Sequence, residues 1–164
     1  MFASFTSKVG NSAKKTDPNS IGNFGLGALT AYHFTDIISV VSGTEALFLD
    51  VHKNWLPKRY GSMKGNFLSL KLAEKYPDQF KSFTSHFGCS MQSAFNGTLF
   101  RLPLRTPKTL SQSQVSNKLI TFESIEKMLL DVEQRVNDML LFLQHIEVIE
   151  CFTHKAIYYI ASLN

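Results

Sequence analysis

The most regular pattern of apolar and polar positions lies in residues 122–144. Apolar residues recur there at intervals of three and four, which is the spacing of one face of an α-helix. They are Ile125, Met128, Leu129, Val132, Val136, Met139, Leu140 and Leu143. Thr121 stands just before the run and can cap it, and Glu123 suits the positive end of the helix dipole. The pattern predicts one long amphipathic helix.

A second helical pattern covers residues 66–87 and is rich in phenylalanine. Apolar and aromatic residues are also spaced by three and four there, and they are Phe67, Leu70, Ala73, Tyr76, Phe80, Phe83 and Phe87. Pro77 interrupts the run, and a proline inside a helix removes a backbone hydrogen bond. We therefore predict two short helices that place the phenylalanine stripe in the core.

Five runs of apolar, β-branched and aromatic residues predict strands. They are residues 37–42, 45–50, 98–104, 146–152 and 156–161. The short breaks between the first two runs and between the last two predict two hairpins. Residues 51–65, which contain Trp55, and the polar residues 106–120 predict loops, and we expect Trp55 to pack on the sheet. The fold class is then α+β: a partial two-layer sandwich in which helices cover one face of a mostly antiparallel sheet of all five strands.

Composition narrows the class of protein. Hydrophobic residues make up 44% of the 164 residues, which is enough for a core, and the polar residues 1–20 predict a flexible lead-in to one domain at 21–164. The net charge is +4 but the basic residues are scattered, so we expect no nucleic-acid partner. No apolar run approaches the ~18 residues of a membrane span. Residues 1–8 do not join a charged segment to an apolar one, so we expect no secretory signal. We expect a cytoplasmic protein with free thiols.

Two cysteines each stand three positions from a histidine, in the pairs His86 and Cys89 and Cys151 and His154. Four such side chains could hold a tetrahedral zinc ion. Free cysteine is more often a small core residue, so the sequence favours two buried thiols and no metal site.

A glycine cluster, Gly22-Asn23-Phe24-Gly25-Leu26-Gly27, precedes a stretch that can form a helix, Ala28 to Phe34. Glycines leave backbone N–H groups unshielded, and a helix N-terminus favours an anion such as a phosphate. A flexible turn before a helix is the other interpretation of the same residues.

The residues around this cluster resemble the sacsin family. The stretches that carry the resemblance are 17–27, Ala31-Tyr32-His33-Phe34-Thr35-Asp36, Ser42-Gly43, Leu49-Asp50-Val51-His52, residues 97–106 and residues 140–147. The resembled domain is ATPase-like and similar to the N-terminal ATPase domain of the ninety-kilodalton heat-shock chaperone, of the GHKL superfamily and the Bergerat-type fold. By resemblance the loop belongs to the lid over ATP, and its residues Gly22, Phe24, Gly25, Leu26 and Gly27 would cradle the phosphates. Thr98 would lie near the adenine.

Two departures from the family pattern limit this expectation. Ala28 replaces the aromatic residue that follows the last glycine in the family. The family's acidic general base, its metal-binding Asn and its adenine-binding Asp all lie upstream of the glycine loop, where this sequence has only residues 1–21. Glu133 and Asn137 have the spacing of the missing base and metal ligand but follow the loop, so we interpret them as a solvated helix face.

The resemblance implies a sacsin-like, chaperone-related module for protein quality control that carries a remnant ATP-lid loop. It would act through contacts with client proteins or chaperones, and an uncovered part of its sheet would favour self-association. We expect no catalytic residue and no metal ligand in the chain. ATP with magnesium would bind the complete domain, and no cofactor is expected for the isolated chain.

Two alternatives stay open. The first is a functional ATP-hydrolysing chaperone domain whose base and metal ligand come from an upstream segment or from another chain. The second is an interaction module with no link to nucleotides.

Overall fold

The structure is a computed structural model that describes residues 27–56, 62–84, 86–143 and 146–152, and the backbone of 157–162. A 3₁₀ helix at Gly27–His33 comes first, followed by strands β1 (Ile37–Gly43), β2 (Glu45–Asp50) and β3 (Ser62–Asn66). Short helices α1 (Leu72–Lys75) and α2 (Pro77–Phe80) lead to β4 (Phe95–Arg101) and α3 (Pro107–Leu110). Helix α4 (Phe122–Phe142), β5 (Val148–Phe152) and β6 (Ile157–Ser162) end the order. The predicted α+β fold is confirmed, and the predicted lead-in 1–20 lies outside the described residues.

The chain divides into two compact units, Met1–Leu119 and Ile120–Asn164. The first unit holds an antiparallel sheet with the strand order β3-β2-β1-β4. Its central hairpin pairs Ser42 with Glu45 and turns at Gly43, whose positive φ of 57° is a conformation that glycine adopts without strain. The first predicted hairpin is therefore confirmed.

The second unit contains the long helix and the second hairpin. Helix α4 begins where the sequence predicted, because the Thr121 hydroxyl accepts the Ser124 N–H at 3.2 Å and caps the first turn. Strands β5 and β6 pair with each other, but they form a separate two-stranded sheet, so the predicted single sheet of five strands is wrong. The reason lies in the helix, whose buried Val136 and Leu140 pack with Ile149 of β5 and give this unit a small core of its own.

Two elements of the first unit fall where the sequence predicted loops. Strand β3, with the sequence SMKGN, has no apolar alternation because it is an edge strand with exposed Met63 and Lys64. Helix α3 is a single turn that starts with Pro107 and is closed by a reciprocal pair of hydrogen bonds between Thr106 and Thr109.

One face of the four-stranded sheet, which we call the filled face, carries the main apolar core. Val41, Ala46 and Phe48 point from the sheet into this core, where they meet Phe67, Phe80, Phe83, Cys89 and Met91. The rings of Phe48 and Phe80 meet edge to face, with centroids 5.6 Å apart. The phenylalanine stripe is thus confirmed as core for its first three members. Phe87 is 71% exposed, because the chain leaves the helical region before it and turns back between His86 and Cys89.

The opposite face, which we call the cavity face, is covered by the 3₁₀ helix. Ile38, Val40 and Leu47 are buried there, and Ala31 and Tyr32 of the 3₁₀ helix pack against them. The helices predicted at 66–87 cover the filled face, and the 3₁₀ helix covers the cavity face. Both faces of this sheet therefore carry a helix, whereas the sequence predicted helices on one face. Within the described residues, no helix combines the length and the apolar character that crossing a membrane would require.

Candidate functional site

Two of the residues predicted to bind a nucleotide can be located. Gly27 opens the 3₁₀ helix, and its carbonyl oxygen accepts the Thr30 hydroxyl at 2.6 Å. Thr98 lies in β4, where it pairs with Ser42 of β1. Gly22, Phe24, Gly25 and Leu26 lie outside the described residues.

An apolar cavity of about 400 Å³ lies between the 3₁₀ helix and the cavity face. Its lining consists of Gly27, Thr30, Ala31, Phe34, Ile38, Phe100 and Leu102. None of these side chains carries a charge, and Phe100 remains half exposed. A volume of this size with an apolar wall suits an aromatic ring or an aliphatic side chain.

Thr98 lies on the same face of β4 as Phe100, because side chains alternate along a strand and these residues are two apart. Its hydroxyl is 2.9 Å from the Ser42 hydroxyl, which itself donates to the Gly97 carbonyl at 2.8 Å. Since Ser42 has a single hydroxyl proton, Thr98 is the donor in the pair. The structure thus puts Gly27 and Thr98 on one side of the sheet, although Thr98 is not part of the cavity lining.

A buried charge, Arg105, ties the 3₁₀ helix to the end of β4. Its guanidinium contacts the Asp36 carboxylate with Nε and Nη2, each 2.9 Å from Oδ1. It also donates to the carbonyls of Tyr32, His33 and Thr35, with distances of 2.8 Å to His33 and 3.1 Å to Thr35. We call this group of contacts the Arg105 clasp. Its N–H groups bind carbonyls in the last turn of the 3₁₀ helix and just after it. The clasp therefore holds in place the helix that forms one wall of the cavity.

Two ionisable groups near the clasp have shifted acidities. Burial acts to raise the pKa of Asp36, but hydrogen bonds from Arg105 and Ser113 and the positive charge of Arg105 outweigh it, so the pKa lies below its usual value. Burial raises the pKa of the Tyr32 hydroxyl, and the negative charge of Asp50 adds to that effect. Asp36 is therefore held as a carboxylate, and Tyr32 as a neutral phenol.

Asp50 uses its carboxylate to hold the loop that follows β2. Oδ1 accepts the His52 N–H at 3.1 Å, and Oδ2 accepts the N–H groups of Trp55 at 2.7 Å and Leu56 at 3.0 Å. The side chain is almost completely buried. Its role is to shape the loop, because the lone pairs needed for proton transfer already accept backbone N–H groups.

Sequence reasoning did not identify the clasp as a site. Asp36 and Arg105 are 69 positions apart, and each stands at or near the end of a stretch that carries the family resemblance. That shared position is the signal that could have pointed to it.

The two His/Cys pairs considered as zinc ligands do not form a metal centre in the described part of the chain. Cys89 is buried with its Sγ 3.5 Å from the Met91 Sδ, and it closes a tight turn with the exposed His86. Cys151 is half buried, and His154 lies outside the described residues. No group of three or more His, Cys, Asp or Glu side chains in the described ranges has an arrangement that could hold a metal ion.

Comparison with known proteins identifies a family and a relative in which part of the sequence is similar to this chain. The family model described as "Sacsin domain" matches residues 4–157. Human Sacsin is 29% identical over 154 residues, which is 91% of this chain. The same match covers 3% of human Sacsin, so the chain spans only a small fraction of the length of that relative. The matched residues include the cavity, Thr98 and the Arg105 clasp.

Proposed function

Because the chain belongs to the Sacsin domain family, we propose that it is a sacsin-like, chaperone-related module for protein quality control that acts through protein–protein contacts. The observation that carries this proposal is the uncharged cavity of about 400 Å³ on the cavity face, with the half-exposed Phe100 in its wall. Exposed apolar side chains of an incompletely folded client are the groups that such a wall can take up.

The catalytic machinery of an ATPase has no counterpart among the described residues that line this cavity. Its wall offers aromatic and aliphatic carbon and one threonine hydroxyl, but no carboxylate that could act as a base or hold magnesium. Asp36 and Asp50, which lie outside this wall, already accept hydrogen bonds from Arg105 and from backbone N–H groups. These observations support a binding role over hydrolysis.

A binding assay with an unfolded polypeptide tests the proposal. The probe is a fluorescein-labelled, reduced and carboxymethylated protein, and the readout is fluorescence anisotropy. We expect Phe100→Ala to weaken binding at least about fivefold, which corresponds to about 1 kcal/mol. Trp55→Ala is the matched control, because Trp55 is also an exposed aromatic residue but lies outside the cavity. Equal effects of the two substitutions would contradict the proposal.

A second candidate function is an ATP-binding domain that is completed by an upstream segment or by another chain. The position of Gly27 and Thr98 on one side of the sheet favours it, because the resembled ATPase would use both for the nucleotide. This second proposal rests on the resemblance of the domain to the ATPase domain of the ninety-kilodalton chaperone.

Calorimetry with ATP and Mg²⁺ separates the two candidates. For the 164-residue chain we expect binding no tighter than roughly millimolar, about 4 kcal/mol on the affinity scale. Gly27→Val is the diagnostic variant, because a Cβ added at Gly27 would meet no described atom within 4 Å, so we expect the variant to fold. Micromolar, magnesium-dependent binding that Gly27→Val abolishes would favour the ATP-binding candidate.

A further inference from the structure

One ring nitrogen of His52 serves two partners that need opposite protonation states. Nε2 accepts the backbone N–H of Gln114 at 3.3 Å, and the same atom lies 3.5 Å from Oδ1 of Asp36. A nitrogen that accepts a hydrogen bond must present a lone pair, whereas one that pairs with a carboxylate as a cation must carry a proton. One form of the ring can therefore satisfy only one of the two contacts, and the side chain is 6% exposed.

Two hydrogen bonds connect the turn at residues 113–116 to residues next to the four-stranded sheet, Asp36 before β1 and His52 after β2. The Ser113 hydroxyl donates to Asp36 Oδ1 at 2.9 Å and accepts the N–H groups of Val115 and Ser116. The second attachment is the bond from the Gln114 N–H to His52. Only the second depends on the protonation of the histidine.

The charges around the ring decide what an added proton does. Arg105 and Asp36 form an ion pair at 2.9 Å, and the Asp50 carboxylate accepts the His52 backbone N–H, so a proton on His52 adds a second positive charge to a buried cluster that holds two carboxylates. Asp36 attracts that charge and Arg105 repels it. Among the described residues, the charged groups in contact with His52 or its ion pair are Asp50, which accepts its backbone N–H, and Asp36 with its partner Arg105. Lys53 follows His52 in the chain, and the exposed Lys108 and Lys118 are the lysines of the segment that carries the turn.

We infer that His52 is a proton-operated latch for the turn at residues 113–116. The neutral ring holds the Gln114 N–H. A proton from solvent, taken up at Nε2, turns this atom into a donor, which ends the bond to Gln114 and directs the ring to Asp36. The turn then keeps only its attachment through Ser113. Because this turn lies shortly before Ile120, where the second compact unit begins, acidification loosens the stretch that connects the two units.

Nuclear magnetic resonance on the 164-residue chain tests the latch at about pH 7.5 and about pH 5.5, the range in which histidines change charge. We expect the exchange protection of the Gln114 amide, corrected for the intrinsic effect of pH, to fall at least about fivefold at the lower pH, about 1 kcal/mol. The Leu110 amide, which donates to Thr106 O at 2.8 Å, is the reference in the same segment and should keep its protection. The ¹⁵N shifts of the His52 ring should show an unprotonated Nε2 at the higher pH.

Two variants complete the test. In His52→Gln the side-chain amide oxygen can still accept the Gln114 N–H but does not titrate, so the pH effect on Gln114 should vanish. His86→Gln alters an exposed histidine and should keep the effect. A protonated Nε2 at the higher pH overturns the proposal without any variant. A fall in protection at Gln114 no larger than that at Leu110, or one that persists in His52→Gln, overturns it as well.

Discussion

The two faces of the four-stranded sheet are covered by different kinds of interaction. The filled face buries Phe67, Phe80 and Phe83 against apolar strand side chains. The cavity face is covered by a short 3₁₀ helix, which Arg105 holds through three backbone carbonyls and Asp36. Apolar packing fills space, whereas directed hydrogen bonds fix a position without filling it. A cavity can therefore persist on the second face while the helix above it stays in place.

The largest expected effect is on the filled face. Phe83→Ala removes a completely buried ring and should lower the free energy of unfolding by about 4 kcal/mol, because it leaves a void in a packed core. Urea denaturation measures this loss. Phe87→Ala is the matched control, since the Phe87 ring is 71% exposed, and its cost should stay within about 0.5 kcal/mol. Similar losses for the two variants would mean that the filled face is not the main core.

The next effect should come from the clasp on the cavity face. Arg105→Met keeps an unbranched chain but leaves three carbonyls without this donor and the Asp36 carboxylate without its cation, which should cost about 3 kcal/mol in the same urea experiment. Arg101→Met replaces an exposed arginine of the neighbouring strand and should change stability little. A loss below about 1 kcal/mol for Arg105→Met would show that the clasp does not hold the 3₁₀ helix.

Removing the charge of Asp36 should cost less than removing Arg105. Asp36→Asn keeps an acceptor oxygen, and the loss of charge-assisted bonds should cost about 2 kcal/mol near neutral pH. Because the folded-state pKa of Asp36 lies below the ordinary value of 3.8, the carboxylate stabilises the fold above that pH, and the stabilisation is lost as the pH falls through the folded-state value. The stability difference between wild type and Asp36→Asn should therefore shrink below about pH 4. A difference that stays constant from neutral to acidic pH would contradict the ionised pair.

The smallest effect should come from Phe100. Its ring is half exposed beside an existing cavity, so Phe100→Ala enlarges an opening instead of creating a buried void, and the loss should stay below about 1 kcal/mol. Thermal unfolding measures it, and the contrast with Phe83→Ala sharpens the difference between the two faces. A loss as large as that of Phe83→Ala would mean that the cavity face is packed as tightly as the filled face.

The sequence revealed the elements that depend on local pattern. The spacing of three and four and the cap at Thr121 predicted α4 because a helix face and a helix terminus both leave a local signature. The spacing of Phe67, Phe80 and Phe83 likewise predicted that these rings lie in the core. Strand β3 was not, because an edge strand needs no apolar alternation, and its Lys64 and Gly65 resemble a loop.

The residues of the candidate site could be predicted from the sequence only in part. Resemblance singled out Gly27 and Thr98, and the fold brings both to the cavity face. The cavity is lined by Phe34 and Phe100, which share no pattern in the sequence and come to one cavity because the 3₁₀ helix and β4 lie on the same side of β1. The same holds for Asp36 and Arg105, which are 69 positions apart. Contacts of this kind follow from topology, which a pattern within one element cannot report.

The loop that Asp50 holds has a consequence for optical experiments on this protein. Trp55, the single tryptophan of the chain, is 63% exposed, while its backbone N–H is fixed to the Asp50 carboxylate. The native indole already faces water, so its emission should lie at long wavelength before any denaturant is added and shift little when the core melts. The emission of Trp55 will thus change little during global unfolding, and it will report mainly on changes in its own loop. Circular dichroism will have to follow the rest of the molecule.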